Sequence, residues 1–160
     1  MTVFREIPPT AGFPLQLREI AAALTSGQGG DMLAGDFRQY LGAPYARTTC
    51  SGTAALYLIC RAIEKLTPRR TIIIPSFICP LVPLAVLRAG FTVAVCDIEG
   101  GDFNFDPRSL AAQCAADRDV AAIVIDHLAG IPAELAALQD LARQHDILII
   151  EDCAQALGAL

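Results

Sequence analysis

Five short β-favouring runs alternate with helix-forming stretches along most of the chain. The runs are Ala46–Cys50, Thr71–Ile74, Thr92–Cys96, Val120–Ile125 and Ile147–Ile150, and the stretches are Thr53–Leu66, Pro80–Arg88, Pro107–Ala115 and Pro132–His145. This alternation limits the possible folds more than any other feature. Runs such as Ile72-Ile73-Ile74 and Ile147-Leu148-Ile149-Ile150 have no polar face, so strands built from them need cover on both sides. The pattern predicts an α/β fold in three layers, with helices on both faces of a mostly parallel sheet.

Local punctuation supports the same division. Asp106-Pro107 offers a helix cap followed by proline in the first turn. Gly90 is placed to end one helix and Gly42 another. Pro83 falls within the first turn of its helix, where a missing amide costs least. Leu135, Leu138, Leu141 and Ala142 form an apolar stripe suited to docking on a sheet. Residues 1–45 read as a helical lead-in, with helices over Pro14–Leu24 and Met32–Leu41 separated by the breaker Ser26-Gly27-Gln28-Gly29-Gly30. Residues 46–160 read as the α/β domain.

Composition excludes several classes of function. A net charge of -5 leaves no basic surface for nucleic acid. No apolar run reaches the ~18 residues of a membrane helix, and the N-terminus lacks a signal-peptide pattern. Cysteines 50, 60, 79, 96, 114 and 153 include no C-x-x-C pair, so no metal site is expected. Reduced thiols in a cytoplasmic protein are the expectation. The glycine cluster at 27–30 lacks the Gly-Lys-Ser/Thr of a nucleotide loop, and no G-x-G-x-x-G follows any run.

Ligands of open parallel sheets bind beyond the carboxyl ends of the strands. The runs deliver to that rim Ser51-Gly52-Thr53, Ser76-Phe77-Ile78-Cys79, Asp97, Asp126-His127, and Glu151-Asp152 followed by Gln155. Ser51-Gly52-Thr53 could present helix-start amides to an anion such as phosphate, or could be an ordinary N-cap. Asp152 could hold a cationic ring nitrogen, or could cap the segment after it. His127 could contact a ligand, or be held by a neighbouring backbone group. Asp126 could belong to that ligand rim, or be a turn residue before Gly130, and Asp97–Asp106 reads as a solvated loop and helix start.

Taken in order, Ser51-Gly52-Thr53-Ala54-Ala55-Leu56, Ile74-Pro75-Ser76-Phe77, Ala89-Gly90-Phe91 with Val95-Cys96-Asp97-Ile98, His127-Leu128-Ala129-Gly130 and Ile150-Glu151-Asp152-Cys153-Ala154-Gln155-Ala156-Leu157-Gly158 resemble the DegT/DnrJ/StrS family of pyridoxal-phosphate (PLP) enzymes. That family mostly aminates keto-sugars linked to nucleotides. The resemblance runs from about residue 12 to the end. It implies that Gly52 and Thr53, with Ser51 and Ala54 as neighbours, grip the phosphate of pyridoxal 5′-phosphate. It also implies that Asp152 pairs with the pyridine nitrogen, that Gln155 lies beside the ring hydroxyl, and that Cys79 takes the place of the usual stacking aromatic. Ala129 replaces the family's common aromatic after His-Leu.

The resemblance further implies a Schiff-base lysine and a smaller C-terminal domain beyond residue 160. Lys65 is the only lysine present, and it belongs to a helix. The chain is therefore expected to be the N-terminal part of an aminotransferase, inactive alone, and to self-associate as a homodimer or otherwise. Its expected small-molecule substrates are a sugar and an amino donor. Two alternatives are a non-catalytic PLP-fold protein that binds a phosphorylated ligand or a partner chain, and part of a related sugar dehydratase.

Overall fold

The computed structural model describes residues 16–158 except 26, 28 and 102. The expected calls on Met1–Arg5, on Pro14, and on Ser26 and Gln28 lie outside the described residues. Two compact units divide at Thr48/Thr49. The first holds helices α1 (Leu17–Thr25) and α2 (Gly29–Leu41), and Gly29 and Gly30 belong to α2 rather than to a breaker. Gly42, with φ of 60°, follows α2 as expected.

The second unit contains the sheet. Its elements are α3 (Gly52–Leu66), β1 (Thr71–Pro75), α4 (Leu81–Arg88), β2 (Thr92–Cys96), α5 (Pro107–Ala116), β3 (Val120–Asp126), α6 (Leu135–His145) and β4 (Leu148–Asp152). The four strands pair in the order β2-β1-β3-β4, and every pairing is parallel. The α/β class and the parallel sheet are as the sequence predicts.

One expected strand is absent. Residues 46–50 form no strand, although their composition favours one. Thr48 Oγ1 donates to Gly30 O, and Thr49 Oγ1 donates to Ser51 O. Side-chain bonds of this kind compete with a ladder, and β propensity without a neighbouring strand forms nothing. The acidic stretch also differs from a plain loop. Ile98 and Phe105 form an antiparallel bridge, flanked by bonds from Glu99 N to Asn104 O and from Asp106 N to Asp97 O.

Two cores occupy the two faces of the sheet. On one face Leu56, Cys60 and Ile63 of α3 and Val82, Ala85 and Val86 of α4 pack on Ile72, Ile74, Val124 and Ile150. The spacing of Leu56, Cys60 and Ile63 is one helical stripe. On the other face Leu110 and Cys114 of α5 and Leu138 and Ala142 of α6 pack on Ile73, Ile123 and Ile125. Alternate residues of each strand therefore point to opposite cores, which explains the uniformly apolar runs. β1 is buried throughout and β3 up to its last residue, whereas the outer strands β2 and β4 are only partly covered.

The helix ends use the expected devices. Asp106 Oδ1 accepts from the amides of Arg108 and Ser109, with Pro107 opening α5. After α4, Gly90 takes φ of 90° and its amide bonds Leu87 O, while the Phe91 amide bonds Val86 O. This paired closure requires the left-handed conformation that glycine adopts without strain. At the end of α6 Asp146 is left-handed, and Arg69 Nη1 donates to Val120 O, His145 O and Asp146 O. That clamp closes the rim opposite the candidate site.

All six cysteines are free. Cys60, Cys96 and Cys114 are buried in the two cores. Burial pushes the Cys60 and Cys114 thiols up to about 11, so they act as packing groups rather than nucleophiles. Among the described residues, no helix is long and apolar enough to cross a membrane.

Candidate functional site

A cleft of about 320 Å³ opens at the carboxyl ends of β1 and β4, beside the start of α3. This is near the lower end of the ~300–1,000 Å³ typical of small-molecule sites. Gly52, Thr53, Cys79 and Asp152 all line it, with Leu56, Ile59, Leu81, Val82 and Ile150 as the apolar wall. Four residues singled out by sequence, drawn from three distant segments, thus meet at one site.

The α3 end of the cleft is suited to an anion. Ser51 is the N-cap, and its Oγ accepts from the Ala54 amide at 3.1 Å. The Ala55 amide bonds Ser51 O. The cap thereby consumes the donors of Ala54 and Ala55 and leaves the first amides, Gly52 and Thr53, facing the cleft end of a fifteen-residue helix. A Cβ at Gly52 would meet nothing within 4 Å, so that space is open to a ligand atom. Ser51 and Ala54 do not line the cleft; they build the turn that presents Gly52 and Thr53.

The β4 end is suited to a cation. Asp152 is the last residue of β4 and half-buried. Its Oδ1 accepts from the Ala154 amide at 3.0 Å, and a carboxylate has capacity for further donors. Residues 154–158 form turns rather than a helix, so Asp152 caps a turn. Asp126 and Asp152 are register partners. Both follow the face of Val124 and Ile150, which brings two carboxylates to the cleft side of the sheet. Burial and then the Asp152 charge push the Asp126 carboxyl above its usual range, while His127 pulls it the other way. Asp126 ends β3, at the rim where the sequence set it beside His127, and does not take the alternative place in the turn before Gly130. The signal in the sequence was a carboxylate ending a buried run, as at Asp152; the register that pairs them required the fold.

Two sequence candidates lie outside the cleft lining. Gln155 Oε1 accepts from the Ala129 amide at 2.6 Å, which holds the short turn Leu128–Gly130, where Ala129 and Gly130 are both left-handed. His127 is buried on the opposite face. Its Nδ1 accepts from the Ala133 amide at 3.1 Å, and its Nε2 lies 3.4 Å from Glu151 Oε2. Phe77 does not supply a ring to the cleft, since it stacks on Phe103 at 5.2 Å between centroids. Cys79 holds the lining position.

Ligand atoms of His127, Glu151 and Cys153 lie within 4.8 Å of one another, a cluster that the cysteine spacing gave no reason to expect. The Nδ1 of His127 is already an acceptor, so the neutral ring carries its proton on Nε2 and has no lone pair there for a cation. The Cys153 thiol is pushed up by burial and then by the charges of Glu151, Asp152 and Asp126, which further disfavours a metal-binding thiolate.

Residues 14–160 match the DegT/DnrJ/EryC1/StrS aminotransferase family. Protein MosB of Rhizobium meliloti is 36% identical over 122 residues, covering 76% of this chain and 24% of that protein. A UDP-N-acetyl-3-dehydro-alpha-D-glucosamine 3-aminotransferase of Acidithiobacillus ferrooxidans is 34% identical over 139 residues, or 86% of this chain and 37% of that one. The crystal structure of 3-amino-5-hydroxybenzoic acid synthase superposes with a TM-score of 0.75 at 26% identity, covering 82% of this chain and 34% of that one. The chain thus covers between 24% and 37% of the length of these relatives.

Proposed function

The chain belongs to the DegT/DnrJ/EryC1/StrS aminotransferase family, and from that premise we propose that its cleft is the pyridoxal 5′-phosphate site of an enzyme that aminates a nucleotide-linked keto-sugar. The observation that carries this reading is that Gly52 and Thr53, at the positive end of α3, line the same cleft as Asp152. A phosphorylated pyridine needs both an anion cradle and a carboxylate, held at opposite ends of one apolar slot.

In this reading the Gly52 and Thr53 amides, the Thr53 hydroxyl and the α3 dipole bind the phosphate. Asp152, with Asp126 beside it, keeps a proton on the ring nitrogen by stabilising its positive charge. Leu56, Ile59 and Val82 exclude water from the ring edge, and Cys79 packs a soft sulfur where a flat group would lie. Gln155, its carbonyl held by the Ala129 amide, acts from outside the cleft by fixing the Leu128–Gly130 turn. When bound, the cofactor supplies the electron sink that amino transfer requires. No lysine lines the cleft. Lys65 lies roughly 18 Å along α3 from Thr53, at 1.5 Å per residue. The substrate class is supported by the 3-aminotransferase relative.

Self-association is part of the same proposal. Leu81, Leu84 and Leu87 on α4 and Leu58 on α3 are each at least 50% exposed, an apolar surface suited to a partner copy.

Pyridoxamine 5′-phosphate tests the cofactor reading, because it needs no lysine. Fluorescence titration of the purified chain is expected to give saturable binding, at least about tenfold tighter than pyridoxamine without phosphate, a difference of ~1.4 kcal/mol. Absence of saturable binding, or equal affinity for the two ligands, would refute the assignment.

A further inference from the structure

His127 is 5% exposed, and each of its donors and acceptors in the ring and amide is engaged. Its backbone amide donates to Asp152 O at 3.2 Å. Nδ1 accepts from the Ala133 amide, which fixes the neutral ring with its proton on Nε2, facing Glu151 Oε2 at 3.4 Å. One buried residue therefore grips the 131–134 segment, the Glu151 side chain and the Asp152 main chain together.

We propose that His127 is a positioning residue that aims the Asp152 carboxylate into the cleft. Glu151 and Asp152 are consecutive in an extended strand, so their side chains leave opposite faces. Holding the Glu151 side chain on one face fixes the rotation of the strand about its own axis, and this sets the direction of Asp152 on the other. Among the described residues β4 is an outer strand paired by β3 alone, so its last residues have one ladder and the Ala154 bond to hold them. Residues that line a site but have no support from packing need such a second layer of hydrogen bonds to hold their geometry. The inference rests on the cofactor reading only for the consequence of aiming Asp152; the aiming itself is a property of the unliganded chain.

Nuclear magnetic resonance of the purified chain reads the aiming directly. The His127 nitrogen shifts are expected to show the Nε2–H tautomer. In His127→Ala the Ala154 amide proton, which donates to Asp152 Oδ1, is expected to move toward its random-coil position, while the amides of Ile72 and Ile73 keep theirs. Affinity for pyridoxamine 5′-phosphate is expected to fall about tenfold, with affinity for inorganic phosphate unchanged. His127→Gln, whose amide can still donate to Glu151, should recover most of the loss. An unmoved Ala154 amide in His127→Ala, or an equal loss for both ligands, overturns the proposal. A wild-type chain that shows the tautomer and the Ala154 response yet binds no pyridoxamine 5′-phosphate supports the positioning role and overturns the proposed function instead.

Discussion

The two faces of the sheet use the same strand ends for different work. On the α3–α4 face, β3 and β4 end in Asp126 and Asp152, beside an open cleft. On the α5–α6 face, one residue away in each strand, His127 and Glu151 bond each other, and the Ala133 amide completes the pairing. Asp152 keeps polar capacity for a ligand, whereas buried His127 spends its ring nitrogens on the protein, and Glu151 joins it while its residue also borders the cleft. A single residue of shift along a strand separates a group available for binding from a group committed to structure, because the side-chain period of a strand is two.

Variants can break or sharpen this contrast. The largest effect is expected from Ile123→Ala, which empties a site in the core of the α5–α6 face. It should cost about 2–5 kcal/mol of stability, while the folded fraction keeps wild-type affinity for pyridoxamine 5′-phosphate; urea unfolding and titration together check both. Asp152→Ala should act in the opposite sense, costing stability only the ~1 kcal/mol of a lost cap and weakening the same ligand by about 2 kcal/mol, or about thirtyfold. A fall in stability without a fall in affinity would dissolve the contrast.

Gly130→Ala should fall between these. Gly130 has φ of 78°, and an added Cβ would sit 3.4 Å from Gln155 O, so the strain of ~1–2 kcal/mol in a left-handed residue lands on the turn that Gln155 holds. The expected result is a modest loss of melting temperature.

Asp126→Asn should have the smallest effect and the opposite sign. The Asp126 pKa is raised above its usual 3.8 in the folded chain, so stability falls as pH rises from there through the folded value, and the lower stability persists at neutral pH. Removing the charge should therefore stabilise the chain slightly at pH 7 and flatten that part of the pH profile. Melting curves between pH 4 and 7 check the sign.

The sequence showed the layers plainly because β1 and β3 are buried on both faces, and the middle of such strands is apolar on both sides. It misplaced Ala46–Cys50 because strand formation needs a neighbour, and no property of those five residues says whether one exists. At the site, Cys79 and Asp152 could be placed because they follow or end strands whose direction the parallel topology fixes, and Gly52 and Thr53 because a serine cap ahead of them marks a helix start. The roles of His127 and Gln155 could not, since they depend on Ala133, Glu151 and Ala129 arriving at hydrogen-bond distance. Asp126 was hidden for a related reason: only the alignment of β3 with β4 makes it the companion of Asp152.

The outer strand β2 has a feature that β4 lacks. Thr92 and Cys96 bond toward β1, so Val95 turns its carbonyl outward, and Gln113 Nε2 donates to it at 3.0 Å. A further strand could join β2 only by displacing that amide, whereas among the described residues no side chain obstructs the β4 ladder in the same way. The two flanks of the sheet therefore differ in what a strand would meet: at β2 a side-chain amide already in place, at β4 an unobstructed ladder that ends at Glu151 and Asp152.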